Sequence, residues 1–320
     1  VDGKIILFDR RHFKFFILNK DGKFLYSFGK RGEGPGEIKH MLNFYLVGDR
    51  ILTYDLGKIN FFSLDGKFEK AVPTSSTIGL APIIFIDENR YVKTRIEPAL
   101  NARPQSLEIY DLATKTTTYL EGKTPEVDKK EGRRGVMVMI QIGAGPVERT
   151  PGFVVGHFGD KLLWGKNDNY LIRSCNFSGK ELFSFSLENR EQKKITEELK
   201  ERIASRAQFR TTGGGSPDDF KKRFMKSIPD VCTYFSQVVS GKNGLIYVYV
   251  SDAARENGQE IDIFSPEGKY LYQADIAFPE GQRIISNGLV FKDDNLFFVM
   301  EDEEGELSFN KYRVTTPPAK

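Results

Sequence analysis

Short apolar runs alternate along this chain with clusters of turn-forming residues, and the spacing of those clusters predicts a repeated unit of strands. Residues 4–28 read KIILFD, FKFFILN, a turn at Lys20-Asp21-Gly22-Lys23, then FLYSF. The same order returns over 50–72 as RILTYD, INFFSL, Asp65-Gly66-Lys67 and FEKAV. It returns over 161–187 as KLLWGK, YLIRSCNF, Ser178-Gly179-Lys180 and ELFSFSL, and over 245–276 as LIYVYVSD, EIDIF, Glu267-Gly268-Lys269 and YLYQADI. A looser copy spans 90–120 and turns at Leu112-Ala113-Thr114-Lys115, and a sixth opens at Asn295 with NLFFVMED and LSFNKYRV. Short runs rich in β-branched and aromatic residues between such turns read as strands. Asp-Gly supplies the positive φ that a tight hairpin needs.

Each copy after the first is preceded by one more apolar strand, such as LNFYLV before Gly48-Asp49 or YFSQVVS before Lys242-Asn243-Gly244. The unit is therefore four strands, A to D. Gly22 and Gly66 lie 44 residues apart, and Gly66 and Thr114 lie 48 apart. Four short strands at that period favour a propeller over a sandwich or barrel. The expected fold is all-β: a single six-bladed β-propeller of four-stranded antiparallel blades over 1–320, with a helical insertion between the fourth and fifth blades. The blades are expected at 1–38, 39–73, 78–120, 152–187, 232–277 and 284–316, with insertions at 121–151 and 188–231. The first copy lacks strand A and the sixth lacks a clear strand D, so exposed edges or altered pairing are expected there. Val1-Asp2-Gly3-Lys4-Ile5 reads as a turn and a strand, which implies an upstream segment carrying a further strand and the targeting information.

In a four-stranded meander the A–B and C–D turns share one end, and the B–C and D–A connections share the other. Here the A–B and C–D turns are minimal. The long connections are B–C (96–104, 251–259) or D–A (121–151, 188–231). Function concentrates in loops held by a rigid scaffold, so the elaborated end is the expected functional face. In the second insertion Thr196 can cap a helix whose stripe is Ile195, Leu199, Ile203 and Ala207. A second helix starts at Ser216-Pro217-Asp218-Asp219, with Phe220 and Phe224 on its buried face. The first insertion carries a charged stretch over 126–134 and an apolar strand over 136–140.

Composition adds little to this picture. Lysine and arginine total 47 against 44 acids, a net charge of +3, which gives no support for a nucleic-acid or membrane-surface partner. The apolar runs are too short to span a bilayer. Cys175 and Cys232 form no zinc or redox spacing and are expected as unpaired, buried thiols. His12, His40 and His157 fall in different parts of the repeat and are not expected to converge on a metal.

The stretch Gly29-Lys30-Arg31-Gly32-Glu33-Gly34-Pro35-Gly36-Glu37 is a D–A connection. Its glycines can form an anion-binding nest of N–H groups or, more simply, a fixed linker with Glu37 and Arg31 tying adjacent blades. It closely resembles the G-x-x-G-x-G-P-G-E signature of the six-bladed β-propeller lipoproteins of Bacteroidetes, relatives of the NHL-repeat propellers. The resemblance implies an exported protein, periplasmic or held at the outer membrane by a lipid anchor outside this chain. It assigns no activity.

Strand B repeatedly ends in acid: Asp9, Asp55, Asp252 and Glu301-Asp302, with Asn167-Asp168 in the fourth copy and Arg95 in the third. A carboxylate ring can hold calcium, but a strand-end Asp also makes an Asx-turn. The repetition, broken by Arg95, favours the structural role, so no cofactor or metal is expected. The chain contains no GxSxG, HExxH or EF-hand motif. The expectation is a non-enzymatic binding propeller of the cell envelope that takes its partner at the channel mouth formed by the B–C and D–A loops, with Lys30, Arg31, Glu33, Glu37, His40, Arg95 and Asp252 as candidate binding residues. Its partner would be a small molecule, a glycan or a protein, and not nucleic acid. The alternatives are a metal-assisted lyase, lactonase or hydrolase, and an assembly scaffold.

Overall fold

In a computed structural model, the described residues are 3–55, 57–74, 83–96, 104–122, 141–142, 151–208, 216–241, 243–255, 258–277, 281, 283–284, 290–292 and 295–313. The chain divides into two compact units, Val1–Glu126 and Val127–Lys320.

The first unit holds three sheets. Strands β1 (Ile5–Asp9), β2 (Lys14–Leu18) and β3 (Phe24–Phe28) form a three-stranded sheet, and β4 (Met41–Val47), β5 (Arg50–Asp55), β6 (Lys58–Ser63) and β7 (Phe68–Pro73) a four-stranded one. The third comprises β8 (Ile83–Phe85), β9 (Arg90–Ile96), β10 (Pro104–Asp111) and β11 (Thr117–Glu121). All are antiparallel meanders. The apolar runs of β5 and β6 are nearly continuous because the second sheet is covered on both faces. Ile51 and Phe62 pack with Phe15 and Ile17 of the first sheet, while Leu52, Tyr54, Ile59 and Phe61 pack with Ile83, Phe85 and Tyr91 of the third.

The second unit repeats the plan. A two-stranded ladder joins β12 (Gln141–Ile142) to β17 (Ala207–Gln208). Strands β13 (Phe153–Phe158), β14 (Lys161–Lys166), β15 (Leu171–Asn176) and β16 (Glu181–Ser186) form the fourth sheet. Helices α1 (Glu197–Arg206) and α2 (Pro217–Ser227) follow. The fifth sheet is β18 (Phe235–Ser240), β19 (Ile246–Val250), β20 (Gln259–Phe264) and β21 (Tyr270–Ile276). Leu163, Ile172 and Phe185 of the fourth sheet pack on Phe235, Val238, Ile246, Val248 and Phe264 of the fifth. In the sixth sheet β22 (Arg283–Ile284) and β23 (Val290–Lys292) both pair one edge of β24 (Asn295–Glu301), and β25 (Leu307–Arg313) pairs the other.

Strand A of the sixth copy is thus split into two short segments. Among the described residues the first sheet lacks strand A and the sixth lacks strand D, as the repeat predicts. β25 accordingly exposes Leu307, Phe309 and Tyr312, whereas β6 and β20, at the same position in their sheets, are buried.

The glycine of the C–D turn has a packing role that the hairpin alone does not reveal. Gly66 and Gly268 adopt φ of +83° and +85°. A methyl group on Gly66 would lie 2.6 Å from Phe28 of the preceding sheet, and one on Gly268 2.7 Å from Phe185. Gly22 has the same φ region, at +82°, but its missing side chain would meet nothing within 4 Å. The second and fifth blades therefore seat this turn on the outer-strand phenylalanine of the blade before them.

Helix α1 is capped by Thr196, whose Oγ1 accepts from Leu199 N at 3.2 Å. Leu199 and Ile203 are buried as expected, but Ala207 leaves the helix for β17 and Ala204 takes the buried position. Ser216 caps α2, its Oγ accepting from Asp218 N at 3.2 Å. Both phenylalanines are half-buried: Phe224 packs against the helical core, and Phe220 carries the Arg223 guanidinium 4.7 Å from its ring centre. The strand expected over 136–140 lies outside the described residues. No described helix is long and apolar enough to cross a membrane.

Candidate functional site

The glycine-rich connection folds around Glu37. Its carboxylate accepts from Lys30 Nζ at 2.9 Å and from Gly34 N at 3.0 Å. A side chain on Gly32 would collide with it, since a methyl carbon there would lie 1.9 Å from Glu37 Oε2. The nest thus cradles the protein's own carboxylate. These contacts hold Glu37 below the usual carboxylate range, the Lys30 bond first. Ile38, fully buried, pins the loop into the core between the first two sheets. The tie to the second sheet comes from Lys58, which donates to Glu37 O at 2.9 Å. Sequence reasoning missed Lys58 and expected Glu37 and Arg31 to bridge the blades. Arg31 instead lies over the Phe13 ring, 5.3 Å from its centre, at the end of the first sheet. Glu33 pairs with Lys39.

The acids that end strand B hold backbone: Asp9, Asp252 and Asp302 close local turns, and Asp55 reaches back to the start of its sheet. Asp9 accepts from Arg11 N at 2.8 Å and His12 N at 3.1 Å, and its other oxygen lies 2.6 Å from His12 Nδ1. Asp55 receives Lys39 N at 2.9 Å and His40 N at 2.6 Å, fixing the start of β4, the strand before its own. Asp252 accepts from Ala254 N at 3.0 Å, and Asp302 from Glu306 N at 2.8 Å. Asn167 accepts from Gly152 N at 2.7 Å and donates to Phe235 O at 3.0 Å, joining the fourth and fifth sheets. Lys30, Arg31, Glu33, Glu37 and His40 thus gather in the first D–A connection of unit one. Arg95 lies in β9 opposite Ser106, with its side chain outside the description. Asp252 belongs to unit two. Cys175 and Cys232 are free and buried, and burial pushes the Cys175 thiol up to about 11.

A buried polar cluster lies where insertion 188–231 leaves the fourth sheet. Glu260 and Asp262 alternate along β20 and so share one face of the fifth sheet. Asp262 is fully buried. Its Oδ2 accepts from Tyr170 OH at 2.8 Å and lies 3.4 Å from Arg190 Nε. Arg190 also donates to Glu260 and, at 3.3 Å, to Gln273 Oε1. Lys193 Nζ lies 3.2 Å from Glu260 Oε2. Asp262 Oδ1 and Arg190 Nε have no hydrogen-bond partner. Loss of solvation raises the Asp262 carboxyl above its ordinary range, outweighing the opposing Tyr170 bond and the Arg190 and Lys193 charges.

Two strands of backbone then form a stem for the insertion, through Ile195 N to Asp230 O at 2.7 Å and Cys232 N to Lys193 O at 2.8 Å. Ile195, Leu199, Ile203, Ile228 and Cys232 form its small core. The spacing of the helices predicted this module, but no local pattern announced Arg190, Glu260 or Asp262, which lie up to 72 residues apart. Sequence reading placed the two D–A insertions at one end of the fold but expected no strand pairing between them. The β12–β17 ladder joins them, pairing Gln141 with Gln208 and Ile142 with Ala207.

Comparison with known proteins agrees with this architecture. The DUF5128 family, described as a 6-bladed β-propeller, matches residues 1–92. A crystal structure of a member of the DUF4221 family from Bacteroides vulgatus superposes with a TM-score of 0.57 at 10% identity, covering 97% of this chain and 90% of that one. A Bacteroides fragilis protein provisionally described as exported gives 0.49 at 13% identity, over 93% and 77%. Virginiamycin B lyase from Staphylococcus aureus gives 0.42 at 11% identity, over 99% and 82%. No curated protein matches the sequence. Repeat, sheet topology and family pattern together make this chain a β-propeller whose residues 1–92 carry the pattern of a six-bladed propeller family.

Proposed function

We propose that this chain is a non-enzymatic binding propeller of the cell envelope, exported, whose partner is recognised by the surface that the two D–A insertions build together. The observation that carries this reading is the β12–β17 ladder: two excursions separated by a whole blade meet in one antiparallel pair. Scaffold loops that converge in this way are the usual place for recognition. The turn acids and the glycine-rich loop use polar atoms to hold backbone, which shifts the recognition role from them to the insertions. A glycan, peptide or small molecule fits such a surface, and the near-neutral net charge argues against nucleic acid. Export follows from the resemblance carried by residues 29–37.

The test replaces residues 196–227 with a short Gly-Ser linker, which the stem can accommodate because Ile195 and Asp230 are already hydrogen-bonded. Wild type and deletion are then screened by thermal shift against envelope oligosaccharides and peptides. The reading expects one ligand class to raise the melting temperature of wild type only. It is overturned if every ligand shifts both proteins equally, or if a ligand is chemically consumed.

A further inference from the structure

Arg190 sits in its socket as a guest would. It belongs to an irregular connection, where its backbone N donates to Leu187 O at 3.2 Å, and it reaches the fifth sheet only through its side chain. Three acceptors on β20 and β21 face its three nitrogens: Asp262 for Nε, Gln273 for Nη1 and Glu260 for Nη2. The fit is incomplete. Nε stands 3.4 Å from Asp262 Oδ2 without a hydrogen bond, and Oδ1 has no partner in a fully buried position. A guanidinium and a carboxylate satisfy each other by two parallel bonds, and a buried polar atom left without a partner is costly. A guanidinium not tethered to residue 190 is free to turn and close that second bond.

We propose that Glu260, Asp262 and Gln273 form a binding socket for a guanidinium group, which Arg190 fills in cis and which the guanidinium of a ligand takes when the 188–195 strap moves aside. Tyr170 positions the socket by donating to Asp262 Oδ2. Lys193, on the same strap, balances Glu260. The planar, three-nitrogen arrangement selects guanidinium over a point-charge ammonium.

Chemical rescue tests this. Arg190→Ala empties the socket, and its melting temperature is followed as methylguanidinium is titrated at millimolar concentration, with methylammonium and urea as controls. The expected result is a saturable rise toward the wild-type value, absent with the controls and weakened at least about tenfold when Asp262→Asn is added. A folded Arg190→Ala protein that shows no saturable rise overturns the socket. Should that variant fail to fold, Arg190→Gln replaces it under the same criterion. In wild type, a short arginyl peptide should speed amide exchange over 188–195 relative to its lysyl counterpart, and unchanged exchange overturns the displacement. The socket and the insertion surface are separable. Rescue fails or succeeds through Glu260 and Asp262 alone, whereas the binding reading stands or falls with residues 196–227.

Discussion

Replacing Gly66 by alanine puts a methyl carbon 2.6 Å from two atoms of the Phe28 ring and 2.9 Å from its Cβ, on a backbone with φ of +83°. The same change at Gly268 meets Phe185 at 2.7 to 2.9 Å, with φ of +85°. Gly22 isolates the backbone contribution, because its φ is +82° and the space around it is open. Left-handed φ costs an alanine about 1–2 kcal/mol, and the loss of glycine's freedom in the unfolded chain returns about 0.4–1 kcal/mol. Gly22→Ala should therefore destabilise by no more than about 1.5 kcal/mol. At the other two sites overpacking adds about 1–3 kcal/mol. Gly268→Ala should sit at the upper end, because Phe185 is buried in the core between the fourth and fifth sheets and has little room to move. The assay is urea unfolding, with the midpoint read at unchanged m-value. Adding Phe28→Ala to Gly66→Ala should relieve the clash, giving a favourable coupling energy. If all three glycine variants lose the same stability within about 0.5 kcal/mol, the blade-to-blade seating of the turn is wrong.

Other consequences are as direct. Asp55→Ala removes a carboxylate that receives two backbone N–H groups and should cost at least about 2 kcal/mol, with Asp55→Asn about half as harmful, measured by the same unfolding assay. Asp262 holds its proton to higher pH in the folded protein than in the unfolded chain, so its stabilising share is full below its unfolded value of 3.8 and is lost as pH rises through the raised folded value. Melting temperatures from about pH 4 to about pH 7 should therefore move increasingly in favour of Asp262→Asn over wild type, and a constant difference would contradict the buried-charge assignment. Cys175 and Cys232, both buried, should resist a disulfide-exchange reagent in the folded state and react on unfolding, whereas prompt native reactivity would refute their placement.

The repeat was legible because a propeller writes itself locally. Two-faced strands give the runs ILTY, INFF and IYVYV, and most C–D hairpins place a glycine at the positive-φ position that Lys115 takes in the third copy. Topology then followed from connection lengths, down to the missing fourth strands at β1 and β25. Thr196 and Ser216 announced both helices because capping is a short-range interaction. What escaped was long-range. Nothing near Gly66 in the chain indicates Phe28, and nothing near Arg190 indicates Glu260 or Asp262. Ala207 was misassigned because helical spacing continues through it, while pairing with Ile142 draws the backbone into β17. The glycine-rich signature was recognisable as a linker, but the identity of its tie to the second sheet, Lys58 rather than Arg31, depends on a contact 21 residues away from Glu37.

The meeting of the two insertions is the premise on which the functional reading rests, and a designed crosslink addresses it. Gln141 and Gln208 are Cα partners in an antiparallel ladder, a spacing that a disulfide can bridge. A Gln141→Cys, Gln208→Cys protein, with Cys175 and Cys232 buried out of reach, should form that bond rapidly and in high yield under mild oxidation, mapped by peptide mass spectrometry. A natively folded double variant that keeps both new thiols free would contradict the account.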